Sequence, residues 1–342
     1  MATKMQMADL QLVDYEGDDT QRVTVLDEPF KMSVKNGKIP IPKDNEVRVK
    51  IKYVGICGSD LEAYRGTRAP EFISVPARLG HEVSGIIDMV GKNVVGIKLG
   101  DRVTCRYVWG AFAEYIVCKP FNVKVLPSEI SMLEISPVEV LPGIIHAAEL
   151  AKIDQSKNVL IMGQGVSGLI MTQVVAQYSP RSLAVTDLSP KKLQLAKKYG
   201  ATHTYQLPHK DAHTMDFAGD DFPDGFDIVI PCLLEGDGML DAIECSNICA
   251  KIIMYGCIGV CNKPIDFFKV HRKRLEIYAT EPRRDIDMRR YFQEGIQMVA
   301  DGMVNTAEMI TDIFPLSEID KAFAIRNESP DSTIHVVIDC EG

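Results

Sequence analysis

The chain has 342 residues with nine cysteines and one tryptophan, and its 38 basic and 47 acidic side chains give a formal net charge of −9. This length predicts two domains that each bury their own core, and the fractions of 46% hydrophobic and 25% charged residues exclude a disordered, collagen-like or coiled-coil chain. The acidic balance argues against a nucleic-acid partner, because phosphate backbones are bound by clustered lysine and arginine.

No segment of the sequence is typical of a targeting or membrane-spanning element. The first twenty residues contain no apolar run that resembles a signal peptide, and nothing later approaches the ~18–20 apolar residues of a spanning helix. We therefore expect a cytoplasmic protein without a membrane partner. An odd number of cysteines spread through a long chain does not indicate a disulfide framework, so we expect thiols, some of which could bind metal.

The N-terminal part is predicted to be mostly β. From residue 46 the side chains alternate between apolar and basic (Val47, Val49, Ile51 and Tyr53 against Arg48, Lys50 and Lys52), which is typical of a half-buried antiparallel strand. Short strand-like pieces separated by glycine follow at 83–90, 101–104 and 113–117. The first ~125 residues therefore predict a barrel-like β domain.

After Pro127 the pattern changes to strands that alternate with helices. Strands are predicted at 158–162, 182–186, 227–230 and 251–255. The helix after the second of these is well delimited, with Ser189 as N-cap, Pro190 at its first position and Gly200 just past its end. The alternation predicts a parallel sheet with helices on both faces, as in a Rossmann fold.

A glycine-rich turn lies directly after the first of these strands and opens a helix. It reads Gly163-Gln-Gly165-Val166-Ser167-Gly168. The first glycine permits the tight turn, the second lets the backbone approach a pyrophosphate, and the third lets helix and strand pack closely. The unpaired N–H groups of the helix N-terminus favour the phosphates. We predict that this turn binds a dinucleotide.

Asp187 ends the next strand, nineteen residues beyond Gly168. A carboxylate at this place accepts hydrogen bonds from the ribose hydroxyls and repels a 2′-phosphate, so NAD is favoured over NADP. Lys191 and Lys192 follow closely and could tolerate a phosphate, which keeps NADP as the alternative.

A second group of residues has the chemistry of a metal site. The segment Gly55-Ile-Cys57-Gly-Ser59-Asp60 is followed, 24 residues after the cysteine, by Gly80-His81-Glu82. Thiolate and imidazole are good zinc ligands, and a catalytic zinc site needs three protein ligands and an open position. Considered singly, a cysteine such as Cys57 is more often a thiol of the core, and a histidine such as His81 is more often structural.

The ordered set of these motifs, with Gly85, Val90-Gly91 and Gly100-Asp101-Arg102-Val103 upstream of the nucleotide turn, resembles the zinc-dependent medium-chain alcohol dehydrogenase family. The likeness runs from about Val23 to Val337 and is nearest to the sorbitol/polyol and threonine dehydrogenase branch. It implies a GroES-like catalytic domain of residues 1–143 and 283–342, with a Rossmann NAD-binding domain of residues 144–282 inserted between them. It also implies a homodimer or homotetramer joined through the Rossmann sheets.

The resemblance assigns roles at the metal site. Cys57 and His81 match zinc ligands, and Glu82 matches the family's acid next to the ligand histidine, which supports the ligands without binding the metal or exchanges with solvent. The third ligand implied is Glu139, in Glu139-Val-Leu141 where the family has Glu-Pro-Leu, with Glu134 as the alternative. The implied reaction transfers a hydride from a secondary alcohol to NAD beside a Lewis-acid metal.

Two departures from the family pattern bear on function. Residues 101–113 contain one cysteine, Cys105, where many members carry four that hold a structural zinc, so we expect one zinc per chain. Glu62 stands five residues after Cys57, where a histidine commonly ends the proton relay. The proton accepted by Ser59 would therefore pass to Glu62 or directly to water.

The substrate is less defined. Residues 280–287 fall where the family's chain returns to the active-site cleft and include Glu281, Arg283 and Arg284. If this stretch lines the cleft, a polyol, cyclitol, amino or phosphorylated sugar alcohol or hydroxy amino acid is favoured, since arginine binds phosphate and carboxylate while Glu62 and Glu281 suit an amino group. A solvated loop is an equal alternative.

The sequence also allows alternative roles for one basic cluster and alternative functions for the chain. The basic cluster at 271–274 could contact a phosphate on the adenine side of the cofactor, but a surface patch is expected. Rival functions are a zinc-free NAD(P)H-dependent reductase of an activated carbonyl or double bond, and a non-catalytic cofactor-binding protein. The retained ligand set and Ser59 argue against both.

Overall fold

The protein is described by a computed structural model that covers residues 19–67, 73–233, 237–255, 261, 263–280 and 284–342. Two compact units are formed, one by the described residues up to Glu139 together with Thr306–Gly342, the other by Val140–Asn305. The sequence places the second division at 282/283 instead. The segment beyond it groups with the second unit because Phe292–Ala300 packs against Leu141–Ala151.

The described strands are β1 (Thr20–Glu28), β2 (Lys31–Lys38), β3 (Val47–Gly55), β4 (Glu82–Val90), β5 (Arg102–Cys105), β6 (Tyr115–Cys118), β7 (Val123–Val125), β8 (Asn158–Met162), β9 (Ser182–Asp187), β10 (His203–Gln206), β11 (Phe226–Pro231), β12 (Ser246–Met254), β13 (Glu276–Ala279), β14 (Ile310–Pro315) and β15 (His335–Asp339).

The described α-helices are α1 (Gly58–Arg65), α2 (Leu141–Ala151), α3 (Val166–Ala176), α4 (Pro190–Lys198), α5 (Met215–Ala218), α6 (Gly238–Cys245), α7 (Phe267–Lys273), α8 (Arg284–Ile286), α9 (Phe292–Ala300) and α10 (Ile319–Glu328). A π-helical segment, Asp287–Tyr291, joins α8 to α9. Among these residues no helix is long and apolar enough to cross a membrane.

The first unit is mostly β, which confirms the prediction. A β1–β2 hairpin accompanies a seven-stranded sheet of order β14-β15-β3-β4-β5-β7, in which β6 pairs with β3. The predicted alternation is present in β3, where Val47, Val49 and Ile51 are buried. The C-terminal strand β15 lies antiparallel to β3, so a segment from the C-terminal part of the chain completes the sheet of the first unit.

The second unit is a six-stranded parallel sheet of order β10-β9-β8-β11-β12-β13. Numbered within the unit, this order is 3-2-1-4-5-6, the arrangement of a Rossmann fold, and the predicted fold is confirmed. Its central strands β8, β9 and β11 are buried almost throughout, since parallel sheets are covered on both faces.

Candidate metal and cofactor sites

The end of β3 and the start of β4 bring three potential metal ligands together. The two strands are antiparallel, and Gly55 at the end of β3 pairs with Glu82 at the start of β4. Cys57 is the N-cap of α1, which begins just after β3, and His81 directly precedes β4. One donor atom from each of Cys57, His81 and Glu82 lies within 4.8 Å of the others. The strand register therefore creates the cluster.

Asp60 fixes the two loops that carry these ligands. It is fully buried, with 0% of its surface exposed. Its Oδ2 accepts the backbone N–H of Cys57 at 3.1 Å, and its Oδ1 accepts that of Gly80 at 3.2 Å. The same Oδ1 lies 3.5 Å from Nδ1 of His81. The sequence indicates no role for Asp60, because its contact with Gly80 depends on the fold.

Burial and close charges shift the pKa values of all three potential ligands. Burial raises the pKa of the Cys57 thiol, and the negative charge of Glu82 adds to this. Burial alone would lower the pKa of His81, but the charges of Asp60 and Cys57 raise it well above its usual value. Burial raises the pKa of Glu82 to about 8, against the attraction of His81.

The cluster fits a zinc ion. Sulfur, imidazole nitrogen and carboxylate oxygen are the donors that zinc takes in proteins. Within the described part of the chain, the buried Oε2 of Glu82 has no hydrogen-bond partner. A buried polar atom without a partner is costly, and a nearby cation would remove part of that cost.

Glu139 and Glu134, the acids named from sequence as the third ligand, lie outside this group of donor atoms. Oε1 of Glu139 accepts a hydrogen bond from Nη1 of Arg106 at 2.9 Å in a largely buried ion pair. Its negative charge still reaches Glu82, whose pKa it helps to raise. The backbone of Glu134 contacts Ser131 and Thr306. The carboxylate that the structure places beside Cys57 and His81 is Glu82.

Ser59, Glu62 and Trp109 surround the cluster. Oγ of Ser59 lies 3.5 Å from Nε2 of His81. Glu62 stands one turn later on α1 and is buried. The ring of Trp109 packs on that of His81, with 4.6 Å between the ring centroids. No spacing in the sequence indicated Trp109, which comes from the loop after β5.

His335, at the start of β15, is a further residue that the sequence did not indicate. It is fully buried, and its Nε2 lies 3.5 Å from Oε2 of Glu82 and 3.4 Å from Oγ of Ser136. Burial and the positive charge of Arg326 lower the pKa of His335 to about 3, so its imidazole is neutral. Only the pairing of β15 with β3 brings this residue to the cluster.

The glycine turn after β8 has the geometry of a phosphate-binding loop. Gly163 has a φ of +85°, which only glycine adopts readily. A Cβ on Gly168 would lie 1.9 Å from the carbonyl oxygen of Gly163, so helix and strand touch there. A Cβ on Gly165 would have no atom within 4 Å, which leaves open space in front of the loop. Val166 and Ser167 form the first turn of α3.

Asp187 is held at the end of β9 beside this loop. Its Oδ2 accepts the N–H of Gln164 at 2.6 Å, and its Oδ1 accepts the N–H of Ser189 at 2.8 Å. Each carboxylate oxygen keeps a further lone pair for a ribose hydroxyl. The sequence predicted this placement from the distance to Gly168.

The charged stretch considered for substrate binding is described in part. Glu281 and Arg283 lie outside the described residues, and Arg284 is exposed at the start of α8. The basic cluster at 271–274 ends α7, where three of its members are exposed and Lys273 donates to the backbone carbonyls of Ile243, Glu244 and Ser246.

Comparison with known proteins identifies the family of the chain. The family model for the alcohol dehydrogenase GroES-like domain matches residues 43–128, and that for zinc-binding dehydrogenases matches residues 168–301. The chain belongs to the zinc-containing medium-chain alcohol dehydrogenase family. It is therefore a zinc-dependent NAD(P) dehydrogenase of the polyol and threonine dehydrogenase type.

Similar members of this dehydrogenase family span nearly the whole chain. Sorbitol dehydrogenase of Bacillus subtilis (strain 168) is 29% identical over 335 residues, which cover 86% of this chain and 92% of that protein. D-xylulose reductase of Saccharomyces cerevisiae is 28% identical over 362 residues, covering 94% and 98%. The crystal structure of galactitol-1-phosphate dehydrogenase from Escherichia coli aligns with a TM-score of 0.79 at 25% identity, covering 93% and 99%.

Proposed function

We propose that this dehydrogenase oxidises a secondary alcohol of a polar substrate with NAD. The substrate class comprises polyols, cyclitols, amino or phosphorylated sugar alcohols and hydroxy amino acids. The observation that carries the proposal is the buried convergence of Cys57, His81 and Glu82. The names of the relatives, which include sorbitol dehydrogenase and D-xylulose reductase, support a polyhydroxy substrate.

One zinc ion per chain would be held by Cys57, His81 and a carboxylate. Glu82 supplies that carboxylate in our proposal, because its oxygen lies with the other two donor atoms. Glu139 stays the alternative, if it leaves Arg106. A bound zinc supplies Lewis acidity that lowers the pKa of a substrate hydroxyl.

Ser59 is proposed to accept the substrate's hydroxyl proton. Its hydroxyl lies 3.5 Å from Nε2 of a ligand histidine, so it borders the metal position. Glu62, one helical turn away on the same helix, is proposed to receive the proton next, with water as the other route. NAD, when bound, would supply the acceptor for the hydride of the carbinol carbon.

NAD is proposed to bind at the glycine turn with its pyrophosphate at the N-terminus of α3. Asp187 would accept the adenosine ribose hydroxyls, and its charge would repel the additional phosphate of NADP. Gly163, Gly165, Val166, Ser167 and Gly168 would contact the phosphates through the backbone.

A metal analysis combined with a substrate screen tests this function. We expect about one zinc per chain in freshly purified protein, and NAD reduction with sorbitol, xylitol, inositols, threonine, polyol phosphates or aminocyclitols that chelator abolishes. Less than half a zinc per chain together with chelator-resistant activity would overturn the zinc mechanism. A strong preference for a simple primary alcohol would contradict the polar substrate class.

Matched carboxamide variants identify the third ligand. If Glu82 ligates the metal, Glu82→Gln weakens zinc binding and releases zinc to a chelator faster, while Glu139→Gln keeps the wild-type release rate. The reverse result would assign the role to Glu139. Each variant removes one negative charge from a buried site with little change in volume, so differences in packing are small.

A further inference from the structure

Glu82 and His335 meet across a glycine. Gly55 pairs with Glu82 of β4 on one side and with Val337 of β15 on the other. His335 lies two residues before Val337, so its side chain is on the same face of the strand. A Cβ on Gly55 would lie 2.2 Å from Oε2 of Glu82 and 2.4 Å from Cε1 of His335. The two side chains approach because residue 55 has none.

The hydrogen bonds around Ser136 define where the proton of His335 lies. The Ser136 hydroxyl donates to the carbonyl oxygen of Leu133 at 3.0 Å, so towards Nε2 of His335 it presents a lone pair. A neutral imidazole carries one N–H, and two acceptors face Nε2. Nδ1 is buried and has no partner among the described residues. These contacts favour the tautomer that carries its proton on Nε2.

This N–H is directed towards a carboxylate oxygen that lacks another partner. Oε2 of Glu82 lies 3.5 Å from Nε2, slightly beyond a normal hydrogen bond, and accepts none from the described residues. A small rotation of the Glu82 side chain would complete the bond. The carboxylate would then be fixed with its remaining lone pairs towards Cys57 and His81.

We propose that His335 is a positioning residue that orients Glu82 for metal binding by donating its Nε2 proton to Oε2. The proposal rests on the proposed function, in which Glu82 ligates zinc. Residues that hydrogen-bond to metal ligands hold their orientation, and their loss typically costs about 10–100-fold in metal affinity or activity. A role limited to filling the buried space beside Gly55 is the competing explanation.

Glutamine and asparagine at position 335 separate these explanations. The amide of glutamine reaches about where Nε2 lies, whereas that of asparagine reaches about where Nδ1 lies. We expect His335→Asn to release zinc to a chromophoric chelator about 10–100-fold faster than the wild-type holoenzyme. It should also change the visible absorption bands of the cobalt(II)-substituted protein. His335→Gln should stay within about threefold of the wild-type release rate.

A control and a double variant complete the experiment. Thr311→Val removes a hydroxyl that contacts the backbone of His335 but not its imidazole, so it should leave zinc release unchanged. If His335 acts through Glu82, adding His335→Asn to Glu82→Gln should accelerate release no further. Equal release rates for the two His335 variants, or a full additional effect in the Glu82→Gln background, would overturn the positioning role.

The wild-type protein distinguishes failure of this inference from failure of the function. A wild-type chain that binds no zinc would refute the proposed function and the inference with it. A wild-type chain that holds zinc, with a His335→Asn variant that holds it equally well, would refute only the inference.

Discussion

Asp60 connects the two loops that carry Cys57 and His81, although it is not a proposed ligand. Its two oxygens accept the N–H groups of Cys57 and Gly80 in a fully buried position. In Asp60→Ala these two donors lose their partners, at about 1–3 kcal/mol each. We expect the free energy of unfolding to fall by about 2–6 kcal/mol and zinc to be released faster.

Denaturant titration and chelator kinetics check this expectation. Asp60→Asn is the matched control, because it keeps one acceptor oxygen and should lose less stability than the alanine variant. Wild-type stability in Asp60→Ala would show that the two loops are held by other contacts.

The glycines of the nucleotide turn have separable roles. Gly165→Ala meets no atom within 4 Å, so it should fold with wild-type stability but raise the Kd for NAD about tenfold, which is about 1.4 kcal/mol. Gly168→Ala forces a methyl group against the carbonyl of Gly163 and should lower the free energy of unfolding by about 1–3 kcal/mol. Calorimetric NAD binding and thermal melting measure the two effects. Equal loss of stability in both variants would contradict this division.

The sequence predicts residues whose positions in space depend on their spacing along the chain. It does not predict residues that reach the site only because distant strands pair. The turn from Gly163 to Gly168 and its partner Asp187 belong to one strand–helix–strand unit, so their spacing in sequence determines their spacing in space. Asp60 and His335 join the metal cluster through contacts that span the sheet. Glu139 satisfies a sequence pattern, yet its carboxylate is paired with Arg106.

At the level of elements, β13 is an edge strand, and no described strand pairs with its outer side. We propose that two chains associate there, because an exposed edge can pair with another chain. Ile277, 41% exposed on β13, should then lie near the dimer contact. Sedimentation should show that Ile277→Lys weakens the dimer by at least about tenfold, since a buried lysine is costly.

Ile313→Lys is the matched control for this prediction. Ile313 is 49% exposed on β14, an edge strand of the other sheet, and its replacement should leave the association unchanged. A dimer that tolerates Ile277→Lys but not Ile313→Lys would place the contact on the first unit.

The elements with the clearest sequence signals are those whose bounds the structure reproduces. Strand β8 has the predicted bounds, and α4 begins at Pro190 after Ser189 and ends just before Gly200. Strand β12 begins five residues earlier than predicted, because its first part, Ser246–Ala250, bulges before it pairs regularly with β11. Such an irregularity depends on pairing with the neighbouring strand, so the sequence shows no alternation of apolar and polar residues that would predict it.

At the scale of the whole molecule, the proposed binding sites for zinc and NAD lie in different units. All proposed zinc donors lie in the first unit, and the proposed NAD loop lies in the second. Each ligand stabilises the unit that binds it, by about 2.7 kcal/mol at a free concentration of one hundred times its Kd. Hydrogen exchange should therefore show that zinc protects mainly residues 55–87 and that NAD protects mainly residues 158–189. Equal protection of both units by zinc alone would contradict this separation.

The packing of Trp109 on His81 gives the enzyme an intrinsic optical reporter. It is the only tryptophan in the sequence, so the indole emission comes from a single place. Any change in the charge or ligation of the His81 ring alters the surroundings of that indole. The loading state of the catalytic centre can thus be followed in the unlabelled protein by its fluorescence, without substrate, cofactor or an added dye.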